Sequence, residues 1–170
     1  MGIFSNTFNT AVKSAATFAR GSALTTYTAG DVIGASAATN LTFADLGTFP
    51  GRRLKVTDVS MEIDIATVPT GMTTSYLHLF DAQPTAIADN GAFNLIAADR
   101  SKYLGYVVVP TPETMGNTLW SQSSPTSPLS KNIQLASGVT SLYGVLQTVS
   151  GAFVGSANSS FTNSLTALEV

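Results

Sequence analysis

The clearest pattern in the chain is a strict alternation of apolar and polar residues at the end of the segment Arg53–Ile65. Apolar residues recur two positions apart, and polar residues fill the positions between them. The apolar set is Val59, Met61, Ile63 and Ile65, and the polar set is Ser60, Glu62 and Asp64. A period of two predicts a β-strand with one buried face and one solvated face.

Shorter apolar segments of the same character follow one another along the chain, separated by clusters of Gly, Pro, Asn and Asp. The other predicted strands are 16–20, 32–33, 41–43, 76–80, 103–109, 118–122, 132–135, 141–149 and 161–170, with turns at 27–31, 47–51 and 68–71 and a loop at 123–130. Short strands with frequent turns are typical of a sandwich or barrel, because an α/β fold would place helices between them. With no internal repeat in the sequence, a jelly-roll or immunoglobulin-like sandwich remains. We predict an all-β, antiparallel β-sandwich that is jelly-roll-like.

One internal segment departs from this strand pattern. Residues 81–101 are rich in Ala, Asp and Asn and contain few β-branched residues. They are expected to form a loop with one short helical turn around Phe93–Asp99.

The first 14 residues differ from the rest of the chain. Phe4, Phe8, Ala11, Val12 and Ala15 fall on one face of a short amphipathic helix. A helix this short needs something to pack on. It is a frayed terminus, a segment that covers the chain's own core, or an arm that orders only against a neighbouring subunit. We therefore divide the chain into an N-terminal arm or helix, 1–14, and a β-sandwich domain, 15–170.

The composition of the chain favours assembly and excludes several partners. Only 11% of the 170 residues are charged, less than half the usual share, so the surface must be rich in hydroxyl and amide groups that repel neighbours weakly. Its eight basic residues are scattered and the net charge is −2, so duplex nucleic acid is not an expected partner. No stretch of apolar residues is long enough to span a membrane, and the N-terminus has no signal-peptide pattern.

Little in the sequence points to catalysis. The absence of cysteine excludes disulfides, thiolate zinc sites and cysteine nucleophiles. The single histidine, His78, shares a predicted strand face with Tyr76 and Phe80, so we expect a packed side chain with satisfied hydrogen bonds. A serine–histidine–aspartate triad with Asp64 or Asp81 as the orienting residue is the alternative, but no Gly-x-Ser-x-Gly motif is present. Phosphate-binding loops are missing as well. We predict no catalytic residue and no enzyme.

Two groups of carboxylates have a possible ion-binding role. Glu62 and Asp64 share one strand face about 7 Å apart, a spacing that suits glycosidase or calcium chemistry but is equally ordinary on a solvated face. The second group could surround a calcium ion, although its spacing matches no known loop. It consists of Asp81, Asp89 and Asp99. Alternatively, Asp99-Arg100 anchors this loop through an ion pair. We predict no cofactor and no metal, and leave an ion at the three aspartates as an open alternative.

The aromatic residues allow a sugar-stacking platform as an alternative function. Trp120 and five tyrosines could form it, but most of them alternate with polar residues, as half-buried core or interface residues do. The tyrosines are Tyr27, Tyr76, Tyr103, Tyr106 and Tyr143.

A run of segments resembles a known family. Tyr27–Gly34, with the sequence YTAGDVIG, resembles a motif of many small structural proteins of tailed bacteriophages and prophages. The segments that follow it in the same order as in that family are 38–43, 56–64, 76–84, 88–93 and 103–106. The order of the motifs carries the resemblance, which is strong over residues 15–110 and loose beyond them.

The resemblance implies a non-enzymatic virion protein, either a capsid decoration (cement) protein or an accessory head protein. Such a protein would bind the outer capsid surface at capsomer junctions and stabilise the head, after synthesis in the bacterial cytoplasm. Its partners would be the major capsid protein and itself, with a homotrimer expected at symmetric capsid sites. The arm lies outside the resemblance, and its Phe4, Phe8 and Val12 are the candidate capsid contact.

Two other functions stay open on the sequence. A neck or tail-completion protein would form rings at the portal vertex. A sugar-binding or receptor-binding sandwich would belong to a phage fibre.

Overall fold

The computed structural model of the chain describes residues 11–24, 26–123 and 131–170. Its regular structure is almost entirely antiparallel strand, arranged in a six-stranded sheet, a five-stranded sheet and a two-stranded ribbon. The predicted all-β, antiparallel fold is confirmed.

The described residues contain thirteen strands and one 3₁₀ helix, which spans Ala97–Lys102. The strands are β1 (Ala11–Ala19), β2 (Thr26–Tyr27), β3 (Val32–Ile33), β4 (Leu41–Phe43), β5 (Arg53–Ile63), β6 (Ser75–Phe80), β7 (Tyr103–Val109), β8 (Glu113–Thr114), β9 (Leu119–Gln122), β10 (Lys131–Gln134), β11 (Leu142–Thr148), β12 (Phe153–Val154) and β13 (Ser160–Glu169).

The strand order is that of a jelly roll. The first sheet runs β1-β13-β5-β9-β8, with β10 following β9 along the same edge of β5. The second runs β3-β11-β6-β7, with β4 beside β3 along β11. When β3 with β4 and β9 with β10 are each counted as one broken strand, and the two-residue strand β8 is left out, the two sheets contain eight strands. Their orders are 1-8-3-6 and 2-7-4-5, the arrangement of two Greek keys in a jelly roll. The ribbon pairs β12 with β2.

The main core lies between the two sheets, and β5 illustrates how the sequence builds it. Val59, Met61 and Ile63 are fully buried, while Glu62 between them is exposed. The predicted apolar face is therefore confirmed. Ser60, expected on the solvated face, is buried, because β5 is a central strand flanked by β13 and β9.

A second, smaller core lies on the outer face of the second sheet. Residues 81–102 cross this face and cover the side chains of Val32, Phe80 and Val145. Ile87, Phe93 and Leu95 of the covering segment, together with Tyr103 and Tyr143 of the sheet, complete this cluster. The predicted non-strand segment thus packs over an apolar sheet face and covers it.

The structure corrects the predicted nature of residues 11–14. They are not helical: they form the first half of β1, which pairs with β13 from Ala11–Leu168 to Ala19–Ser160 without interruption. The ladder with β13 outweighs the weak helical periodicity, because alanines fit either structure. The sandwich domain therefore includes residues 11–14, and the remainder of the predicted arm, with Phe4 and Phe8, lies outside the described residues.

Two local predictions differ in detail, and a third is not tested. Tyr27, expected at the start of a turn, belongs to β2 and stacks on Phe153 of β12 with ring centroids 4.9 Å apart. The helical turn begins at Ala97, because Phe93 is held extended by its N–H bond to the Gly30 carbonyl at 2.8 Å. The predicted loop 123–130 lies outside the described residues apart from Ser123.

Candidate functional site

The buried Arg20 and its partner Asp89 connect the end of β1 to the covering segment. The Tyr27 hydroxyl donates to Asp89 Oδ1 at 2.6 Å, and the Gly34 N–H donates to the same oxygen at 3.0 Å. The guanidinium of Arg20 lies 3.6 Å from Asp89 Oδ2 and 4.8 Å from the Tyr27 ring centroid. Burial and the bond to Asp89 raise the pKa of Tyr27 well above its usual value. Tyr27, Arg20 and Asp89 contact one another, so together they stabilise the fold.

A second ion pair closes the other end of the covering segment. Lys102 Nζ donates to Asp99 Oδ1 at 2.8 Å, and the Thr85 N–H donates to Asp99 Oδ2 at 3.0 Å. The bond from Lys102 is the main cause that lowers the pKa of Asp99. The ion pair expected between Asp99-Arg100 and another charge is therefore formed by Asp99, with Lys102 as its partner.

The structure does not bring the three candidate calcium ligands together. Asp89 bonds to Tyr27, and Asp99 bonds to Lys102. Within residues 11–24, 26–123 and 131–170, no group of three or more His, Asp or Glu side chains could hold a metal ion.

His78 is packed and fully bonded, as the sequence predicts. Its Nδ1 lies 2.9 Å from the Tyr103 hydroxyl, and its Nε2 lies 2.8 Å from Gln147 Oε1. The ring stacks on Phe93 with centroids 3.8 Å apart. Burial lowers the pKa of His78, which keeps the imidazole neutral. The partners of its two ring nitrogens are Tyr103 and Gln147, and neither is the serine or the aspartate of a catalytic triad.

The remaining candidate carboxylates sit apart from His78. Asp64 accepts a bond from the Ser160 N–H at the end of β5. Glu62 is exposed and lies opposite Trp120 in the ladder of β5 with β9. No catalytic triad is assembled around His78 in the described part of the chain.

An aromatic ledge lies on the outer face of the second sheet beside His78, and we define it as Tyr76, Tyr106 and Val108. The two tyrosine rings stack with centroids 4.2 Å apart and an interplanar angle of 30°. Tyr106 is 47% exposed and Val108 is 38% exposed. This ledge is the largest aromatic feature left uncovered by residues 81–102.

The other aromatic residues do not join the ledge in one platform. Tyr27 is completely buried, and Tyr103 and Tyr143 belong to the second core. Trp120 lies on the first sheet, opposite Glu62 on one side and Glu113 on the other. It lines a shallow cavity of about 240 Å³ together with Glu113 and Gln122.

The longest free strand edge belongs to β1. Among the described residues β1 pairs with β13 alone. The other sheet edges are formed by β8, β10, β3 and β4, which have four residues or fewer, and by β7. Strand β7 carries a register shift opposite Leu79–Phe80, and its Gly105 has φ +97°. Short strands and bulges are the usual protection of a sheet edge. Strand β1 has neither.

A groove runs along the free edge of β1. Its volume is about 510 Å³, and its walls are residues 15–19 of β1, residues 32–35 and 39–42, and residues 144–146 of β11. The larger apolar side chains of the lining are Phe18, Val32, Ile33, Leu41, Val145 and Leu146.

The candidate contact residues are only partly placed. Val12 is half-buried in β1 opposite Ala167. Phe4 and Phe8 lie outside the described residues. Sequence reasoning missed the edge of β1, and the signal that could have found it is the run of small and hydroxyl residues from Lys13 to Ala19, with a single charge.

No helix among the described residues is long and apolar enough to cross a membrane.

Comparison with known proteins gives only distant similarity. No protein-family model and no curated protein sequence matches the chain. Among solved structures it is similar to a chain of the full particle of Israeli acute paralysis virus, with 14% identity over 95% of this chain and 71% of that chain and a TM-score of 0.29. It is also similar to a chain of Sacbrood virus of honeybee, with 12% identity over 99% of this chain and 75% of that chain and a TM-score of 0.30. A chain of the native virion of Kashmir bee virus has 13% identity over 94% of this chain and 68% of that chain, with a TM-score of 0.27.

Proposed function

We propose that this chain is a non-enzymatic structural protein of a tailed-phage virion, a capsid decoration protein that binds the outer surface of the head at capsomer junctions. The observation that carries the proposal is a contrast within the described residues. Arg20 and Asp99, the buried charged residues, each form an ion pair, Arg20 with Asp89 and Asp99 with Lys102. What remains exposed is a nine-residue strand edge and an aromatic ledge, and such features bind other macromolecules.

The sequence resemblance led by Tyr27–Gly34 supports the same function, and the structure gives these residues a defined role. Asp31 accepts bonds from the Thr28 N–H at 2.6 Å and from the Thr28 hydroxyl at 2.8 Å, which closes the turn after β2. Gly34 donates to Asp89. The motif therefore forms the junction between the sandwich and its covering segment. We assign it a role in the fold and not in the proposed capsid contact.

The proposal includes the partners and the place of action. The major capsid protein is the main partner, and self-association into a homo-oligomer is the second, with a trimer favoured by the three-fold sites of a capsid. The segment with Phe4, Phe8 and Val12 is the proposed capsid contact. Because residues 11–14 lie in β1, we propose residues 1–10 as the arm.

Copy number in purified virions tests the proposal. A decoration protein is expected in a stoichiometry comparable with that of the major capsid protein, measured by quantitative gel staining. A count that matches a single ring would favour a neck protein instead. Absence of the chain from virions would overturn every virion role.

Binding to purified, undecorated capsids tests the arm. A chain that lacks residues 1–10, and a Phe4→Ala/Phe8→Ala variant, should bind more weakly than the intact chain. A Thr7→Ala/Asn9→Ala variant is the matched control, because it changes the same segment without removing an aromatic ring. Equal binding by the truncated and intact chains would exclude the arm as the contact.

A sugar-binding role is the second candidate, favoured by the exposed stack of Tyr76 and Tyr106 and by the cavity at Trp120. Glycan binding that falls after Tyr106→Ala or Trp120→Ala, with unchanged capsid binding, would establish it. The Phe49→Ala change is the matched control, because Phe49 is an exposed aromatic residue that belongs neither to the tyrosine stack nor to the cavity lining.

A further inference from the structure

Within residues 11–24, 26–123 and 131–170, no strand pairs with the second edge of β1, which presents a regular row of backbone groups. Ser160, opposite Ala19, turns its backbone toward β5: its carbonyl accepts the Asp64 N–H at 3.2 Å. The next pair is bonded, because the Arg20 N–H donates to the Ser159 carbonyl at 2.9 Å. Bonded and non-bonded pairs alternate in an antiparallel ladder. The odd-numbered residues of β1 therefore direct their N–H and C=O groups to the free edge.

The sequence of this edge is complementary to itself. If two β1 strands meet antiparallel around Ala15, this residue lies opposite its own copy, Lys13 opposite Thr17, and Ala11 opposite Ala19. All five are odd-numbered, so every pair can exchange two backbone hydrogen bonds. Their side chains lie on the exposed face and are small apart from Lys13.

The single charge on the edge does not oppose this register. The two Lys13 residues would lie four positions apart along the paired strands, or about 14 Å. That distance exceeds the screening length of about 10 Å at ordinary salt concentration. A second copy centred on Ala15 therefore adds hydrogen bonds without bringing like charges together.

We propose that β1 is an isologous contact through which two copies of this chain join their first sheets edge to edge. The contact deepens the proposed self-association, since it names the strand and the register by which copies meet. In a shell of trimers, it would join one trimer to the next across a two-fold axis. Edge pairing over nine residues is a small interface, so it suits copies held close together on a surface.

Disulfide trapping in the free protein tests the register, because the chain has no native cysteine. In an Ala15→Cys variant, the two Cα atoms would lie about 5.5 Å apart, within the range that a disulfide spans. The Thr17→Cys variant is the matched control, since it lies on the same exposed face but about 14 Å from its copy. Neither side chain packs in the core, and both amides face away from β13.

The Ala15→Cys variant is expected to form covalent dimers at least about tenfold faster than Thr17→Cys. A mixture of Lys13→Cys and Thr17→Cys chains should form the mixed dimer in preference to either homodimer. Equal rates for Ala15→Cys and Thr17→Cys would overturn the proposal, because they indicate random collision.

A charge exchange gives an independent test without disulfides. Ala15→Lys and Ala15→Glu should each weaken self-association, because like charges then meet at the two-fold axis. Mixing the two variants should strengthen the association again by roughly fivefold, measured by sedimentation. No restoration on mixing would overturn the proposed register. Both tests use free protein and no capsid. A negative result would therefore not contradict the proposed capsid binding, and a failure to bind capsids would not change the result of either test.

Discussion

The Tyr27 hydroxyl donates a 2.6 Å hydrogen bond to the Asp89 carboxylate, which lies 62 residues further along the chain. The same carboxylate faces the guanidinium of Arg20, whose side chain is 1% exposed. One acidic side chain thereby connects the end of β1, the ribbon strand β2 and the segment that covers the second sheet. Its removal should loosen all three.

We expect Asp89→Ala to lower the free energy of unfolding by about 3–5 kcal/mol, because it leaves the buried Arg20 without its counter-charge. Chemical denaturation measures the effect. Asp81→Ala, in the same covering segment, is the control and should change stability by about 0.5 kcal/mol or less. Equal losses in the two variants would mean that the Arg20–Asp89 pair is not the source.

Acidification should destabilise the fold through His78. Burial lowers the pKa of His78, so the folded protein keeps this imidazole neutral while the unfolded chain takes up a proton near pH 6.5, roughly the usual value. The unfolded state then binds more protons, so stability is full above about pH 6.5 and falls as the pH drops below it. Urea denaturation between about pH 7.5 and about pH 5 measures the slope.

A His78→Gln variant is the control for this pH dependence. It should lose the decline in stability across that interval, whatever its stability at neutral pH. An unchanged decline would assign the effect to other groups. Since His78 is the only histidine, its imidazole NMR signal reports the pKa directly.

Asn163 is a polar side chain inside the main core. It is completely buried in β13, between Ala16 of β1 and Met61 of β5, and neither amide atom has a hydrogen-bond partner in the described part of the chain. We expect Asn163→Leu to raise the free energy of unfolding by about 1 kcal/mol, since it replaces an unsatisfied amide with an apolar group of similar size.

An Asn163→Asp variant should be less stable than the original chain, because it keeps the shape but buries a charge. Thermal and chemical denaturation of the three proteins give the ranking. A loss of stability in the leucine variant would indicate that the amide is satisfied in solution.

Two glycines with positive φ allow the cost of backbone strain to be measured apart from the cost of steric crowding. Gly71 has φ +86°, and a Cβ there would lie 2.1 Å from the Ala152 carbonyl oxygen. Gly138 has φ +83° with open space around it. We expect Gly138→Ala to cost about 1–2 kcal/mol from the left-handed conformation alone, and Gly71→Ala to cost clearly more. Equal costs in denaturation experiments would show that the turn at Gly71 relaxes easily.

The sequence was a good guide where one side of a strand faces the core. Strand β7 was predicted with its observed bounds, and the alternation around Glu62 located the buried face of β5. Periodicity failed for β1, where small residues such as Ala11 and Ala15 satisfy a helix and a strand equally well. Only pairing with β13, some 150 residues away in sequence, decides between the two.

The contacts between distant charges were beyond sequence reasoning. Nothing local to Asp89 indicates that Tyr27 and Arg20 will meet it, because the topology of the sandwich brings them together. Asp99 was recognised as an ion-pair candidate, but its partner depends on the 3₁₀ geometry that aligns Lys102 three residues later. The packed state of His78 followed from its strand face, yet its bonds to Tyr103 and Gln147 required the neighbouring strands.

The attachment of residues 1–10 to the start of β1 has a mechanical consequence. A pull on this segment along the strand axis loads the whole ladder between Ala11 and Ala19 in shear, so all its hydrogen bonds resist together. A pull across the sheet would instead peel β1 from β13 one pair at a time. A particle held through this segment would be strong when its shell stretches in the direction of β1 and weak at right angles to it.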